Sequence, residues 1–146
     1  RRMDALSQLT GAAKVYLDTN CFIYFLEKHP IFFPVILPVF EAAMNGDYQI
    51  VTSELTLAEL LIRPYQLGRS DVAITYREFL ADAEIVTLTP ISLNVLDKAA
   101  AIRAAHKTAL PDAIHIATAI EAHCDVFMTN DRKMKGFNGL RPVYLS

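Results

Sequence analysis

The chain has 146 residues, of which 53% are hydrophobic, with 14 basic and 16 acidic side chains and a net charge of −2. The length fits one domain with a sizeable core, so residues 1–146 are expected to form a single domain. The charge counts mildly against a nucleic-acid-binding protein, which is expected to be basic.

The cysteines and the chain start indicate the cellular compartment. Cys21 and Cys124 can form no disulfide framework and lack metal-ligand spacing, which favours a reducing cytoplasm. The N-terminus lacks the apolar core of a signal peptide. Residues 1–13 are expected to be an extension, in which Arg1 and Arg2 are remnants of a tag or of a longer chain.

The most apolar stretch, residues 22–44, is not predicted to cross a membrane. It is interrupted by charged residues and by three prolines, so its uncharged part falls well short of the ~20 residues that a membrane helix needs.

The first predicted strand covers residues 14–18 and is followed at once by polar residues. Val15 to Leu17 form a short apolar run, which suits a buried strand, and Asp18 ends it. In open α/β sheets, ligands bind at the carboxyl ends of the strands, so Asp18 lies where a binding site is expected. Taken alone, the stretch Asp18–Asn20 is also typical of a helix cap or a turn.

The remaining pattern predicts strands that alternate with helices. Pro34 fits a first helical turn, Pro38 predicts a late start or a kink, and Arg63–Pro64 predicts a helix end. Further strands are predicted near 48–51, 85–88, 125–129 and 142–145, and helices near 20–29, 33–45, 54–62, 71–83, 92–107 and 111–123. This alternation predicts a three-layer α/β/α domain with a central, mostly parallel sheet of four to five strands.

Four acidic residues, far apart in sequence, are predicted to meet at the carboxyl edge of the sheet: Asp18, Glu59, Asp112 and Asp131. Each has an ordinary alternative. Glu59 lies on a stripe with Thr52, Thr56 and Arg63, which is typical of a solvated helix face. Asp112 also suits a first helical turn, where an acid interacts with the helix dipole, and Asp131 also suits a loop.

Clustered carboxylates need a compensating cation, because like charges in one pocket raise one another's pKa. An all-oxygen set suits Mg²⁺ or Mn²⁺. Removing four acids from the 16 leaves 12 against 14 basic residues, so the remaining surface has a slight positive excess. His115, one turn after Asp112, is interpreted as a supporting or packing residue.

The motifs resemble those of PIN-domain ribonucleases, and most nearly the VapC toxins of toxin–antitoxin pairs. The matching stretches are Val15 to Asn20, Ser53 to Leu55 with Glu59, Leu110 to Ala119, and Thr129 to Asp131. The resemblance implies an α/β/α fold whose acidic pocket binds Mg²⁺ or Mn²⁺ and cleaves single-stranded RNA. It also implies a homodimer that is inhibited by a cognate antitoxin, whose C-terminal segment covers the pocket.

The resemblance also implies the site residues. Those matched to catalysis are Asp18, Glu59, Asp112, Asp131 and Thr129, and Asn20 matches a polar residue that helps to order the site. Asp18, Asp112 and Asp131 are expected to contact the metal, directly or through water, and Glu59 either to bind metal or to position the attacking water. The basic residues beside the pocket, Arg132, Lys133 and Lys135, are expected to contact phosphates, and Arg63, Arg69 and Arg77 are further candidates.

Two other functions remain open from the sequence. Haloacid-dehalogenase-type phosphohydrolases also begin with a strand ending in Asp, but they need a second Asp where this chain has Asn20. A non-catalytic PIN-like module would use the pocket only to bind a protein. The segment Ile31–Phe40 is rich in bulky apolar side chains, which suits either the core or a partner surface.

Overall fold

The structure, a computed structural model, describes residues 4–134, 136–137 and 139–146. The strands are β1 (Lys14–Leu17), β2 (Gln49–Ser53), β3 (Val86–Thr89), β4 (Val126–Thr129) and β5 (Arg141–Tyr144). The helices are α1 (Thr19–Leu26), α2 (Phe33–Met44), α3 (Glu54–Gln66), α4 (Ser70–Ala81), α5 (Leu93–His106) and α6 (Leu110–Glu121), and a short 3₁₀ turn covers Ser7–Leu9.

The five strands form one sheet in the order β3-β2-β1-β4-β5, and every pairing is parallel. The first strand lies at the centre, where Tyr16 pairs with Val51 of β2 on one side and with Phe127 of β4 on the other. The predicted fold class is therefore confirmed, and all carboxyl ends of the strands lie at one edge.

Both faces of the sheet are covered by helices. Val15 and Leu17 pack in a core with α1, α2 and α4, whereas Tyr16 points to the opposite face and packs with α5 and α6. Because both faces of the central strands are buried, they are apolar at consecutive positions instead of alternating with polar residues.

Two prolines stand inside helices. The helix α2 covers the predicted range from Phe33 and contains Pro38, whereas α3 continues past Pro64 to Gln66 instead of ending there as predicted. Pro64 cannot donate the helical hydrogen bond to the preceding turn, and the burial of its ring compensates for this loss. Its carbonyl accepts a hydrogen bond from the Arg69 amide at 2.8 Å, which closes the turn into α4.

The segment before β1 packs against the domain, since Ala5 and Leu9 are buried in the same core as Val15. Along the described ranges, no helix is long and apolar enough to cross a membrane.

Asp125 joins the amino ends of β1 and β4. Its Oδ2 accepts hydrogen bonds from the amides of Ala13 at 2.8 Å and Lys14 at 2.9 Å. These two bonds, from Lys14 and then Ala13, lower the pKa of Asp125. The ionised carboxylate therefore stabilises the fold at neutral pH.

Replacing Asp125 with Asn is expected to lower the free energy of unfolding by about 0.5 kcal/mol at neutral pH, because a neutral amide accepts weaker hydrogen bonds than a carboxylate and water screens this exposed group. A carboxyl group with a lowered pKa loses its contribution as the pH falls through that pKa, so the difference between the two proteins should shrink in acid. Urea unfolding at several pH values measures this difference in the free energy of unfolding. The control is Asp97→Asn, which replaces an exposed residue of α5. Equal stability of Asp125→Asn and wild type at neutral pH would contradict this role.

Candidate active site at the carboxyl edge of the sheet

Buried polar side chains concentrate at the carboxyl edge of the sheet. Of those in the described residues, only Thr118 lies elsewhere, bonded to the carbonyl of Ile114 in its own helix. The others are Thr19, Thr52, Ser53, Thr56, His115 and Thr129. Burying polar groups costs free energy unless they are hydrogen-bonded, and no buried side-chain nitrogen or oxygen within the described ranges lacks a partner. The edge is therefore an ordered polar layer beneath the four acids.

Asp18 directly follows β1 and caps α1. Its Oδ1 accepts a hydrogen bond from the Cys21 amide at 3.3 Å, and its own amide donates to the carbonyl of Met128 in β4. Burial raises the pKa of the Asp18 carboxyl, and hydrogen bonds from Thr129 and Cys21 only partly offset this. An ionised carboxylate at this position is therefore strained electrostatically.

Glu59 projects from α3 and is held by two donors on one oxygen. The Thr19 hydroxyl donates to Oε1 at 2.6 Å, and Nε2 of His115 lies 2.7 Å from the same oxygen. Burial would raise the pKa of Glu59, but the hydrogen bonds from His115 and Thr19 outweigh it and hold that pKa below its ordinary value. The other oxygen, Oε2, has no hydrogen bond to any described residue.

Asp112 and Asp131 complete the group of acids. The first turn of α6 carries Asp112, and since α6 leads back to the amino end of β4, this turn lies at the carboxyl edge. Burial raises the pKa of Asp112, the negative charges of Asp131 and Glu59 raise it further, and His115 partly offsets them. Asp131 follows β4, where its amide donates to Oγ1 of Thr129 at 3.0 Å and its Oδ1 accepts from the Lys133 amide at 2.9 Å.

His115 is almost fully buried, and both of its ring nitrogens are engaged. Nδ1 lies 2.6 Å from the hydroxyl of Tyr16, and Nε2 faces Glu59. The ring therefore has no free nitrogen for a metal ion.

The other predicted site residues differ in their surroundings. Thr129 is buried between Asp18 and Asp131, whereas Asn20 is exposed in the first turn of α1. Arg132 lies with its guanidinium 4.7 Å from the ring centre of Tyr144, and Lys133 is exposed. Lys135 lies outside the described residues.

The more distant arginines have other partners. Arg69 forms a surface ion pair with Asp71 at 2.9 Å, and Arg77 donates a hydrogen bond to the hydroxyl of Tyr65.

The donor set fits a hard divalent cation that keeps much of its water. The available ligands are carboxylate and hydroxyl oxygens, and the mutual effect of the charges of Asp112, Asp131 and Glu59 is what a cation would relieve. Over the described ranges, no three His, Cys, Asp or Glu side chains lie close enough together to enclose a metal ion. Mg²⁺ usually binds through one or two carboxylates, several waters and substrate phosphates, so a closed cage is not required.

Two surface cavities lie apart from the acids. One, of about 420 Å³, is lined by Asp4, Ala5, Gln8, Val35, Arg132, Tyr144, Leu145 and Ser146. The other, of about 460 Å³, is lined by Ala13, Ala43, Gly46, Asp47, Tyr48, Gln49, Ala83, Glu84 and Ile85. Neither is lined by any of the four predicted acids.

The sequence did not identify Tyr16 and Thr19 as residues of the site. It also offered a solvated helix face as the alternative for the stripe that contains Thr52, Thr56 and Glu59. Thr52 of β2 and Thr56 in the first turn of α3 are fully buried, so the start of this stripe points into the domain, whereas Arg63 at its far end is exposed. The hydroxyls of Thr52 and Thr56 lie 2.7 Å apart, and Thr52 also donates to the carbonyl of Leu17. The available signal was a tyrosine within an apolar strand, because a buried tyrosine hydroxyl needs a partner.

Comparison with known families agrees with this geometry. The PIN domain family profile matches residues 15–140. The chain therefore belongs to the PIN domain family. No curated protein sequence matches the chain at a significant level.

Solved structures of toxins share the fold. A toxin–antitoxin complex from Klebsiella pneumoniae matches with a TM-score of 0.66 and 22% identity, over 86% of this chain and 94% of that one. VapBC2 from Rickettsia felis, bound to a promoter DNA fragment, matches with a TM-score of 0.64 and 21% identity, over 90% and 98%. VapC20 from Mycobacterium tuberculosis, described as a sarcin–ricin loop cleaving toxin, matches with a TM-score of 0.68 and 13% identity, over 88% and 99%. The resemblance inferred from the motifs is thus confirmed for the family and the fold.

Proposed function

We propose that this protein is an endoribonuclease that depends on Mg²⁺ or Mn²⁺ and hydrolyses phosphodiester bonds of single-stranded RNA. The observation that carries the proposal is the placement of Asp112 within electrostatic reach of Asp131 and Glu59, at the carboxyl edge of the sheet of a PIN domain, the edge at which Asp18 follows β1. The neighbour VapC20 is described as a toxin that cleaves the sarcin–ricin loop, which supports the substrate class.

Hydrolysis of a phosphodiester builds negative charge on the non-bridging oxygens and on the leaving 3′ oxygen. A bound divalent cation neutralises this charge and lowers the pKa of a coordinated water, so that hydroxide is available near neutral pH. In the proposal, Asp18, Asp112 and Asp131 hold the cation directly or through water. The Thr129 hydroxyl, which bonds Asp18 and the Asp131 amide, holds both in place, and Asn20 orders the rim of the site.

Glu59 has one oxygen fixed by Thr19 and His115, so its free Oε2 is the atom available to the reaction. It either binds the cation or accepts a hydrogen bond from the attacking water. Both roles require the carboxylate to be ionised, and its lowered pKa keeps it so at neutral pH.

Arg132 and Lys133 are the proposed phosphate contacts. They directly follow Asp131, and the position of Arg132 over the Tyr144 ring limits the freedom of its guanidinium. Lys135 belongs to the same proposal by its position in the sequence. Binding through these cations should weaken as the salt concentration rises.

We further propose that the protein is the cytoplasmic toxin of a type II toxin–antitoxin pair, a homodimer that a cognate antitoxin inhibits. The structural neighbours that are toxin–antitoxin complexes support this partner. Ile36, Val39 and Phe40 of the segment Ile31–Phe40 are buried in the core, whereas Ile31 is exposed. Further exposed apolar side chains lie on and between α3 and α4, at Ile62, Tyr65, Leu67 and Ile74.

A nuclease assay tests the function. Purified protein is expected to cut end-labelled single-stranded RNA with Mg²⁺ or Mn²⁺, to lose this activity when EDTA removes the cation, and to be inhibited by its co-encoded small partner protein. Double-stranded RNA and single-stranded DNA of the same sequence serve as controls for the substrate class.

The same assay separates the alternatives. A haloacid-dehalogenase-type enzyme would release phosphate from a small phosphomonoester instead, although the carboxamide of Asn20 cannot transfer the required proton. A non-catalytic module would cut nothing with any cation and would still bind its partner. Either result would contradict the proposed function.

A further inference from the structure

We propose that Tyr16 is a positioning residue, whose hydroxyl selects the tautomer of His115 and thereby fixes the carboxylate of Glu59. The consequence for cleavage rests on the proposed function, but the arrangement of protons does not. One chain of hydrogen bonds runs from the backbone of β2 through Tyr16 and His115 to Glu59.

The phenol of Tyr16 is held rigidly within the domain. Its side chain is fully buried, stacked on Phe127 with ring centres 5.0 Å apart and packed against the edge of the His115 ring. A hydroxyl in such surroundings must be paired, because an unpaired one costs the full free energy of its desolvation.

The direction of the first bond is fixed by the backbone. The amide of Ser53, which can only donate, lies 3.2 Å from the Tyr16 oxygen. The phenol thus accepts from Ser53 and can use its own proton for Nδ1 of His115, 2.6 Å away. A neutral imidazole that accepts at Nδ1 carries its proton at Nε2.

That proton points at the acid. Nε2 lies 2.7 Å from Oε1 of Glu59, and the Thr19 hydroxyl donates to the same oxygen. In the opposite tautomer, a lone pair on Nε2 would face the carboxylate, and Glu59 would keep only the bond from Thr19. The hydroxyl of Tyr16 therefore decides how Glu59 is held without touching it.

The tautomer can be read directly by ¹⁵N–¹H correlation NMR of the imidazole in labelled protein over a pH series. We expect the neutral form of the wild-type His115 ring to carry its proton at Nε2, and Tyr16→Phe to lose this single pattern. A neutral wild-type ring protonated at Nδ1 would overturn the proposal. This arm gives a result whether or not RNA is cleaved, so it separates failure of this inference from failure of the proposed function.

The effect on the reaction is tested by a double-mutant cycle. Tyr16→Phe is expected to lower kcat about 10-fold with little change in KM, as for residues that orient catalytic groups. His115→Asn, whose shorter amide does not reach Glu59, should lower kcat as much or more. Combining the two should add less than about twofold, because Tyr16 acts only through His115. Effects that multiply would overturn the proposal.

A structural effect is excluded by a matched tyrosine. Tyr48 is buried on the other face, and its hydroxyl donates to the carbonyl of Val39. Tyr48→Phe should reduce thermal stability comparably and leave kcat unchanged. An equal fall of kcat in Tyr48→Phe and Tyr16→Phe would show that lost stability, and not positioning, explains the change.

Discussion

Asp18→Asn is expected to reduce RNA cleavage by at least about 100-fold while leaving the fold intact. Residues that merely support metal ligands cost about 10- to 100-fold when they are replaced, so a carboxylate that contacts the ion should lie at or beyond that range. The loss should appear in kcat/KM with Mn²⁺ as with Mg²⁺.

The fold should survive because the substitution keeps the helix cap. Asn caps a helix about as well as Asp, and its amide oxygen can still accept from the Cys21 amide. Since burial raises the pKa of Asp18, removing its charge also removes a strain on the native state. Circular dichroism melting checks this point, and Asp97→Asn on α5 controls for loss of one negative charge. Full activity in Asp18→Asn would place the chemistry elsewhere.

Asp112→Asn is expected to be more stable than wild type without divalent ions and to gain less stability with them. The pKa of Asp112 is raised by burial and by the charges of Asp131 and Glu59, so the ionised form opposes folding. A raised carboxyl pKa means that stability is lost as the pH rises through that value, and Asn cannot contribute to this loss. At neutral pH and without cations, the variant should therefore melt about 1 °C higher, the effect of a few tenths of a kcal/mol.

Adding Mn²⁺ should reverse the order of the two melting temperatures, so that wild type melts higher than Asp112→Asn. Tenfold excess over the dissociation constant stabilises a protein that binds one ion by about 1.4 kcal/mol, which raises the melting temperature by roughly 3–5 °C for a domain of this size. Wild type should gain this amount, and the variant clearly less. Differential scanning fluorimetry in EDTA and in a Mn²⁺ series measures both. Parallel curves for the two proteins would mean that Asp112 has no part in holding the ion.

Local sequence signals were sufficient for the fold. The apolar run at Val15–Leu17 and the alternation of strands with helices predict a parallel sheet, because only strands buried on both faces are apolar throughout. The end of α3 was misjudged at Pro64, because the burial of its ring compensates for the one helical hydrogen bond that a proline cannot donate. Such compensation depends on tertiary packing and cannot be predicted from the local sequence.

Only part of the site could be predicted from the sequence, because some of its contacts also depend on tertiary packing. Asp18 and Asp131 follow strands, so the direction of the sheet places them at one edge. The contact between Glu59 and His115 joins residues 56 positions apart, and it exists only because α3 packs against α6. The burial of Thr56 likewise depends on which side of α3 faces the sheet, and a polar stripe alone predicts the opposite.

A titration with Mn²⁺, followed by calorimetry or electron paramagnetic resonance, tests most directly whether the acids of this edge together hold a cation. Saturable binding of one or two ions by wild type and by Asp97→Asn, with strongly weakened binding in Asp18→Asn and Asp112→Asn, is the expected result. The same weak, unsaturable binding by all four proteins would contradict the proposed metal-dependent nuclease site.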